Sequence, residues 1–269
     1  MKKKITTIFL CAALFAIVAV GASLAYFTDT DNETNTFAVG NVSIDLIEQQ
    51  RGVDKDGKAA LVDFTQGKKL YPIVGSAQGK KDDFGLPTAE NYVDKVVTVK
   101  NTGSEAAYIR AYFAIPSALD DGYDTFNAGL NVLHFNFGTK MVDGKAVSTD
   151  GVEWIWKHNG KWNYFETTMG GIKYNVYFAD YYSTVAGGAT TERLLDGVYL
   201  DKSFDYDNGK YYAFGSELTL DQGWNWNAVK CPVFAVAVQA EGFDSADDAV
   251  TAAFGAQYNP WGTAVTNWQ

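Results

Sequence analysis

The scarcest side chains able to ligate a metal or attack a carbonyl are His134, His158, Cys11 and Cys231, the only histidines and cysteines in 269 residues. A zinc hydrolase takes three protein ligands and a general base, commonly with two histidines one helical turn apart. His134 and His158 lie instead on separate strand-like stretches, with no His-Glu-x-x-His, and read as surface or turn residues. Cys231 precedes Pro232 at the head of an apolar run, where burial disfavours a thiolate. No Gly-x-Ser-x-Gly occurs, and carboxylate pairs scattered over an acidic chain do not define a glycosidase site. Asp54 and Asp56 begin like a calcium loop, but no further acid follows until Asp63, and Asp56-Gly57 is turn chemistry. Arg110, between Tyr108 and Tyr112, is either a ligand-binding cation or a strand guanidinium lying over its tyrosines. These residues point to no catalytic centre, no metal and no cofactor.

The start of the chain carries a different kind of chemistry, that of processing. Lys2, Lys3 and Lys4 precede an apolar stretch over residues 8–20, and Ser23-Leu24-Ala25 supplies the small residues that a signal peptidase accepts, placing cleavage before Tyr26. The uncharged run over residues 5–27 is also long enough to span a bilayer if left uncut. Cys11 follows Ile8-Phe9-Leu10, which is not a lipobox, and belongs to the leader. The net charge of −10, made more negative by loss of the leader lysines, disfavours nucleic acid and anionic lipid as partners. With Cys231 alone left after cleavage, no internal disulfide forms, and the fold rests on its core.

The elements that must supply that core read as strands. Tyr, Phe and Trp make up 15% of the chain, and they are strand formers with large buried areas. Residues 26–35 are polar after Tyr26-Phe27 and have no alternation to hold them in a sheet of their own. Alternation begins at Phe37 and continues through Val39, Val42, Ile44 and Leu46, with a bulge at Gly40-Asn41. Residues 51–58 form a hairpin tip, residues 68–74 a short strand, and residues 75–87 a charged loop. Val93, Val97 and Val99, then Asn101-Thr102-Gly103-Ser104, then Ala107, Ile109, Ala111, Phe113 and Ile115 predict a hairpin with one buried face. Residues 117–150 read as an insertion, closed by a hairpin at Asp143-Gly144. Asn159-Gly160 and Asn208-Gly209 mark two further tight turns, and residues 172–182 a long aromatic strand. Val233 opens a strand apolar on both faces, and Ser245 caps a helix with Asp247 and Asp248 in its first turn. The tail, residues 255–269, is expected along the surface. Short aromatic strands joined by tight turns predict an all-β, antiparallel sandwich with loop insertions and one short helix near the C-terminus.

Three stretches carry a family likeness. Ala25-Tyr26-Phe27-Thr28-Asp29-Thr30-Asp31 with Thr36-Phe37-Ala38-Val39-Gly40-Asn41-Val42, the run Val99-Lys100-Asn101-Thr102-Gly103-Ser104 leading to Ala107-Tyr108-Ile109-Arg110, and Ala237-Val238-Gln239-Ala240-Glu241-Gly242-Phe243 before an Ala-rich helix resemble the TasA and camelysin family. That family comprises exported proteins of Gram-positive bacteria with leaders handled by a SipW-type signal peptidase. The resemblance implies a jelly-roll-like sandwich over residues 38–269, a signal peptide over residues 1–25, and an extended donor segment over residues 26–37. It further implies a secreted protein of the extracellular or biofilm matrix, a homo-oligomeric fibre in which each subunit is completed by its neighbour's N-terminal strand, with a minor anchoring subunit as a further possible partner. Membrane association then rests only on an uncut leader. Tyr26 and Phe27 are the expected anchors, with Thr28, Asp29 and Phe37 in the donor and its link, and Ser23, Ala25 and Tyr26 at the cleavage site. Two alternatives stay open: a monomeric surface or spore-associated adhesin binding sugar or protein, and a camelysin-like secreted metallopeptidase, for which the residues supply no site.

Overall fold

Residues 107–116 carry Ala107, Ile109, Ala111, Phe113 and Ile115 at every second position with Tyr108, Tyr112 and Ala114 among those between, so a strand there serves two apolar layers at once. The computed structural model describes residues 28–31, 42–122, 131–219 and 230–269. Its first strands are β1 (Thr28–Asp31), β2 (Ile44–Val53), β3 (Ala59–Asp63), β4 (Val93–Asn101) and β5 (Ala107–Pro116). β6 (Leu133–Phe137), β7 (Thr139–Val142), β8 (Lys145–Ser148), β9 (Trp154–Ile155), β10 (Lys157–His158) and β11 (Lys161–Trp162) follow. Then come β12 (Tyr164–Met169), β13 (Ile172–Tyr181), β14 (Leu195–Leu200), β15 (Asp205–Asp207), β16 (Lys210–Ala213) and β17 (Ser216–Glu217). β18 (Val233–Gln239), helix α1 (Ala246–Phe254) and β19 (Val265–Thr266) close the chain.

Two antiparallel sheets face each other. One runs β1-β18-β5-β13-β12-β19 with β9 beside β13, and the other runs β3-β2-β4-β14-β6. Between them lies a core that includes Ile44, Val97, Val99, Ile109, Phe113, Phe135, Tyr177 and Leu195. The alternate residues of the first sheet, among them Tyr108, Tyr112, Phe178, Phe234 and Val236, point to its other face. There α1 and the C-terminal tail cover them, so the molecule has three layers, and β5 and β18 are buried along their whole length. The all-β sandwich, with one short α-helix among the described residues, is the architecture the sequence predicts.

Several local expectations hold. Asp143-Gly144, Asn159-Gly160 and Asn208-Gly209 each pair two positive φ angles in tight turns. Residues 54–57 turn between β2 and β3, and one Asp54 carboxylate oxygen accepts from the Asp56 and Lys58 amides at 2.9 Å, which occupies it as a turn cap. Ser245 accepts from the Asp248 amide at 3.1 Å at the start of α1.

Others are corrected. β4 and β5 are not a hairpin: β4 pairs with β2 and β14, while β5 pairs with β13 and β18 in the opposite sheet. The Asn101 amide donates to the Glu105 and Val185 carbonyls at 2.7 and 2.8 Å, and this clasp carries the chain from one sheet to the other. Two strands that each bury a face satisfy the same alternation whether they lie side by side or stacked. The stretch over residues 117–150 is not wholly an insertion, because β6 is a sandwich strand whose Phe135 is opposite Val198 of β14. Residues 68–74 make isolated bridges, Pro72 to Leu200 and Val74 to Glu90, without a continuous strand. The tail does run along the surface as expected, and there it forms a covering layer: Trp268 stacks on Phe165 with ring centroids 5.1 Å apart, and Tyr258 and Trp261 meet Tyr112 edge-on. A further hairpin, β12 to β13, turns across Gly170-Gly171, both at positive φ, where no Asn-Gly or Asp-Gly pair marks it in the sequence.

Candidate assembly edge

β18 exists because Val233, Ala235 and Ala237 fill the inter-sheet core, while Phe234, Val236 and Val238 fill the layer under α1. A strand apolar on both faces has to sit inside a sheet. On one side β5 pairs with it throughout, from Val233 opposite Phe113 to Gln239 opposite Ala107. On the other side β1 takes Thr28 opposite Val238, Asp29 opposite Ala237, Thr30 opposite Val236 and Asp31 opposite Ala235. The segment without a sheet of its own by alternation therefore has a seat on its own chain, supplied by backbone pairing. β1 is short, polar in sequence, and paired on one side only, at the end of the strand order. Each of its backbone hydrogen bonds contributes only about 1 kcal/mol net, so a four-residue strand paired on one edge is held by little.

Of the residues expected at processing and assembly, Thr28 and Asp29 lie in β1. Ser23, Ala25, Tyr26, Phe27 and Phe37 lie outside the described residues, as does the leader. Among the described residues no helix is long and apolar enough to cross a membrane.

The other candidates are placed separately. His134 on β6 stacks on Tyr199 with centroids 4.9 Å apart, its Nε2 stands 3.6 Å from Asp201, and burial pulls its pKa down. His158 on β10 uses Nδ1 against Asn163 Oδ1 at 2.8 Å. The two imidazoles are not brought to one centre, and among the described residues no group of three metal-ligating side chains forms. Burial pushes the Cys231 thiol up to about 12, which keeps it protonated.

Arg110 is neither over its tyrosines nor open to a ligand. Its Nε and Nη2 donate to the two Asp180 oxygens at 2.6 and 2.8 Å, Nη2 also donates to Asp247 Oδ1 at 2.6 Å, and the guanidinium lies 4.6 Å over the Phe178 ring. The two acids raise its pKa against the opposing effect of burial. This cluster ties α1 to the sheet. Its partners stand 70 and 137 residues away in sequence, beyond the reach of any spacing rule.

No protein-family model, curated protein or solved structure matches the chain.

Proposed function

We propose that this chain is a secreted structural protein of the extracellular matrix that polymerises by strand exchange, a TasA-like fibre subunit released by a SipW-type signal peptidase. The observation that supports it is the seat of β1: a four-residue N-terminal strand completes β18, and an identical strand from a second copy would make the same backbone bonds. Cleavage before Tyr26 would leave Tyr26 and Phe27 at the free end of that strand, where a neighbour's groove would take them as anchors. Phe37 would lie on the link back to the sandwich. Asp29, Asp31 and Glu33 give the exchanging segment a negative charge. Fibre growth is therefore expected to quicken at low pH or with added cations, and equal assembly rates at neutral and acid pH would count against the charge argument.

A mature chain lacking residues 26–35 tests the reading by electron microscopy: fibres are lost if the strand is exchanged, and their persistence would sink it. The second reading, a monomeric adhesin, is favoured by the same observation taken at face value, since β1 already closes the sheet within one chain. For that protein the deletion leaves ligand binding intact.

A further inference from the structure

Glu48 and Lys95 lie on the inward faces of β2 and β4, in line with Leu46 and with Val93 and Val97, and they pair there with side chains only 10% and 8% exposed. Taking two charges out of water costs several kcal/mol per ion, and well-packed apolar residues in their place are often as stable or more so. The pair is thus a poor device for holding two sheets together. It forms the floor of a cleft of about 920 Å³ that opens where the sheets part, between β4 and β14 on one side and the start of β18 on the other.

The walls repeat one chemistry. Lys95 Nζ lies 4.9 Å and Lys68 Nζ 5.4 Å from the Phe64 ring centroid, so two ammonium groups attend one aromatic ring. Elsewhere on the lining, Phe204 and Tyr211 stack with 17° between their planes, and Tyr206, itself 58% exposed, lies 4.9 Å from Tyr211 at a tilt of 43°. Lys69 and Lys230 add two more exposed cations, while Asp205 is the only lining acid besides the paired Glu48 among the described residues. In a chain of net charge −10, this is a locally cationic, aromatic-walled cleft.

We propose that it binds a carboxylated carbohydrate chain, of the polyuronate type. The exposed Tyr206 ring beside the Phe204–Tyr211 stack suits the C–H face of a pyranose ring, and the lysines suit carboxylates repeated along the chain. An extended peptide would call for an open strand edge and alternating side-chain pockets, whereas this lining combines aromatic rings with lysines. The inference stands apart from strand exchange, since none of the residues it is argued from belongs to the N-terminal segment.

Isothermal titration of the full mature chain with oligogalacturonate, beside a neutral cello-oligosaccharide of equal length and a polyglutamate peptide, tests it. Saturable binding of oligogalacturonate is expected, at least ten-fold tighter than either of the others and weakened by 0.5 M salt. Tyr206→Ala and the double variant Lys68→Ala/Lys69→Ala should each lose ten-fold or more, with unchanged unfolding curves. The paired change Glu48→Leu/Lys95→Met separates floor from fold: it should keep or raise stability while lowering affinity. Absence of saturable binding, equal binding of the neutral chain, tighter binding of the peptide, or variants that bind like the parent would each overturn the proposal.

Discussion

Arg110 holds a full charge at a position 1% exposed, in reach of two carboxylates from different elements. The two are not equivalent. Asp180 is buried with it, while the Asp247 side chain is 57% exposed and its contribution is screened by water. Arg110→Met is expected to cost about 3–5 kcal/mol in urea unfolding, because it leaves Asp180 buried without its partner. Asp247→Ala is expected to cost about 1 kcal/mol or less. Similar losses for both would refute this division. His134 supplies a pH dependence. Its folded pKa is lowered by burial, so below about 6.5 the unfolded chain takes up a proton that the folded chain resists. Stability from this site is present above that pH and lost as pH falls through it. The difference in unfolding free energy between the parent and His134→Phe should therefore shift against the parent between pH 7.5 and 5.5. The sequence made Arg110 conspicuous and left both its acids hidden, because a strand residue chooses its partners through tertiary packing.

At the scale of elements, the features legible in the sequence are those that two or three adjacent residues decide by themselves. A tight turn is decided by the two residues that must adopt positive φ, and Asn159-Gly160 and Asn208-Gly209 say so by themselves. The helix likewise carries its own start signal in Ser245, and Ser245→Ala should destabilise the protein by about 1 kcal/mol by freeing the Asp248 amide. Strand partnership is another matter. The alternation in β4 and β5 told which faces are buried and was silent on whether the buried faces lie side by side or look at each other. A similar dependence on neighbours governs the link from β6 to β7. A Cβ on Gly138 would stand 1.9 Å from the Arg193 carbonyl oxygen, so Gly138→Ala should force backbone apart and cost about 3 kcal/mol by thermal or urea unfolding. An unfolding curve indistinguishable from the parent would show that the link yields freely.

For the molecule as a whole, the layering explains why so little of the sheet is exposed and where exchange would have to occur. β5, β13 and β12 are enclosed by neighbours on both sides, and the sandwich faces are covered by the second sheet, by α1 and by the tail. β1 is the member of the first sheet that comes from the N-terminal segment, and its pairing with β18 is one that the same strand of a second copy would make equally. The candidate assembly segment was legible as a segment, through its polar composition after an apolar leader. Its place on β18 was not, because backbone hydrogen bonds carry no side-chain pattern.

The most direct test locks that place. In a mature chain beginning at Tyr26 and carrying Cys231→Ser, the changes Thr28→Cys and Val238→Cys put two thiols on directly opposed residues, where antiparallel Cα separations of about 4.5–5.5 Å permit a disulfide. Electron microscopy of this protein should show fibres when the pair is reduced and monomers only when it is oxidised within one chain. Fibres of equal yield from the oxidised, intramolecularly linked protein, or none in either state while the parent assembles no fibres, would contradict assembly by exchange of β1.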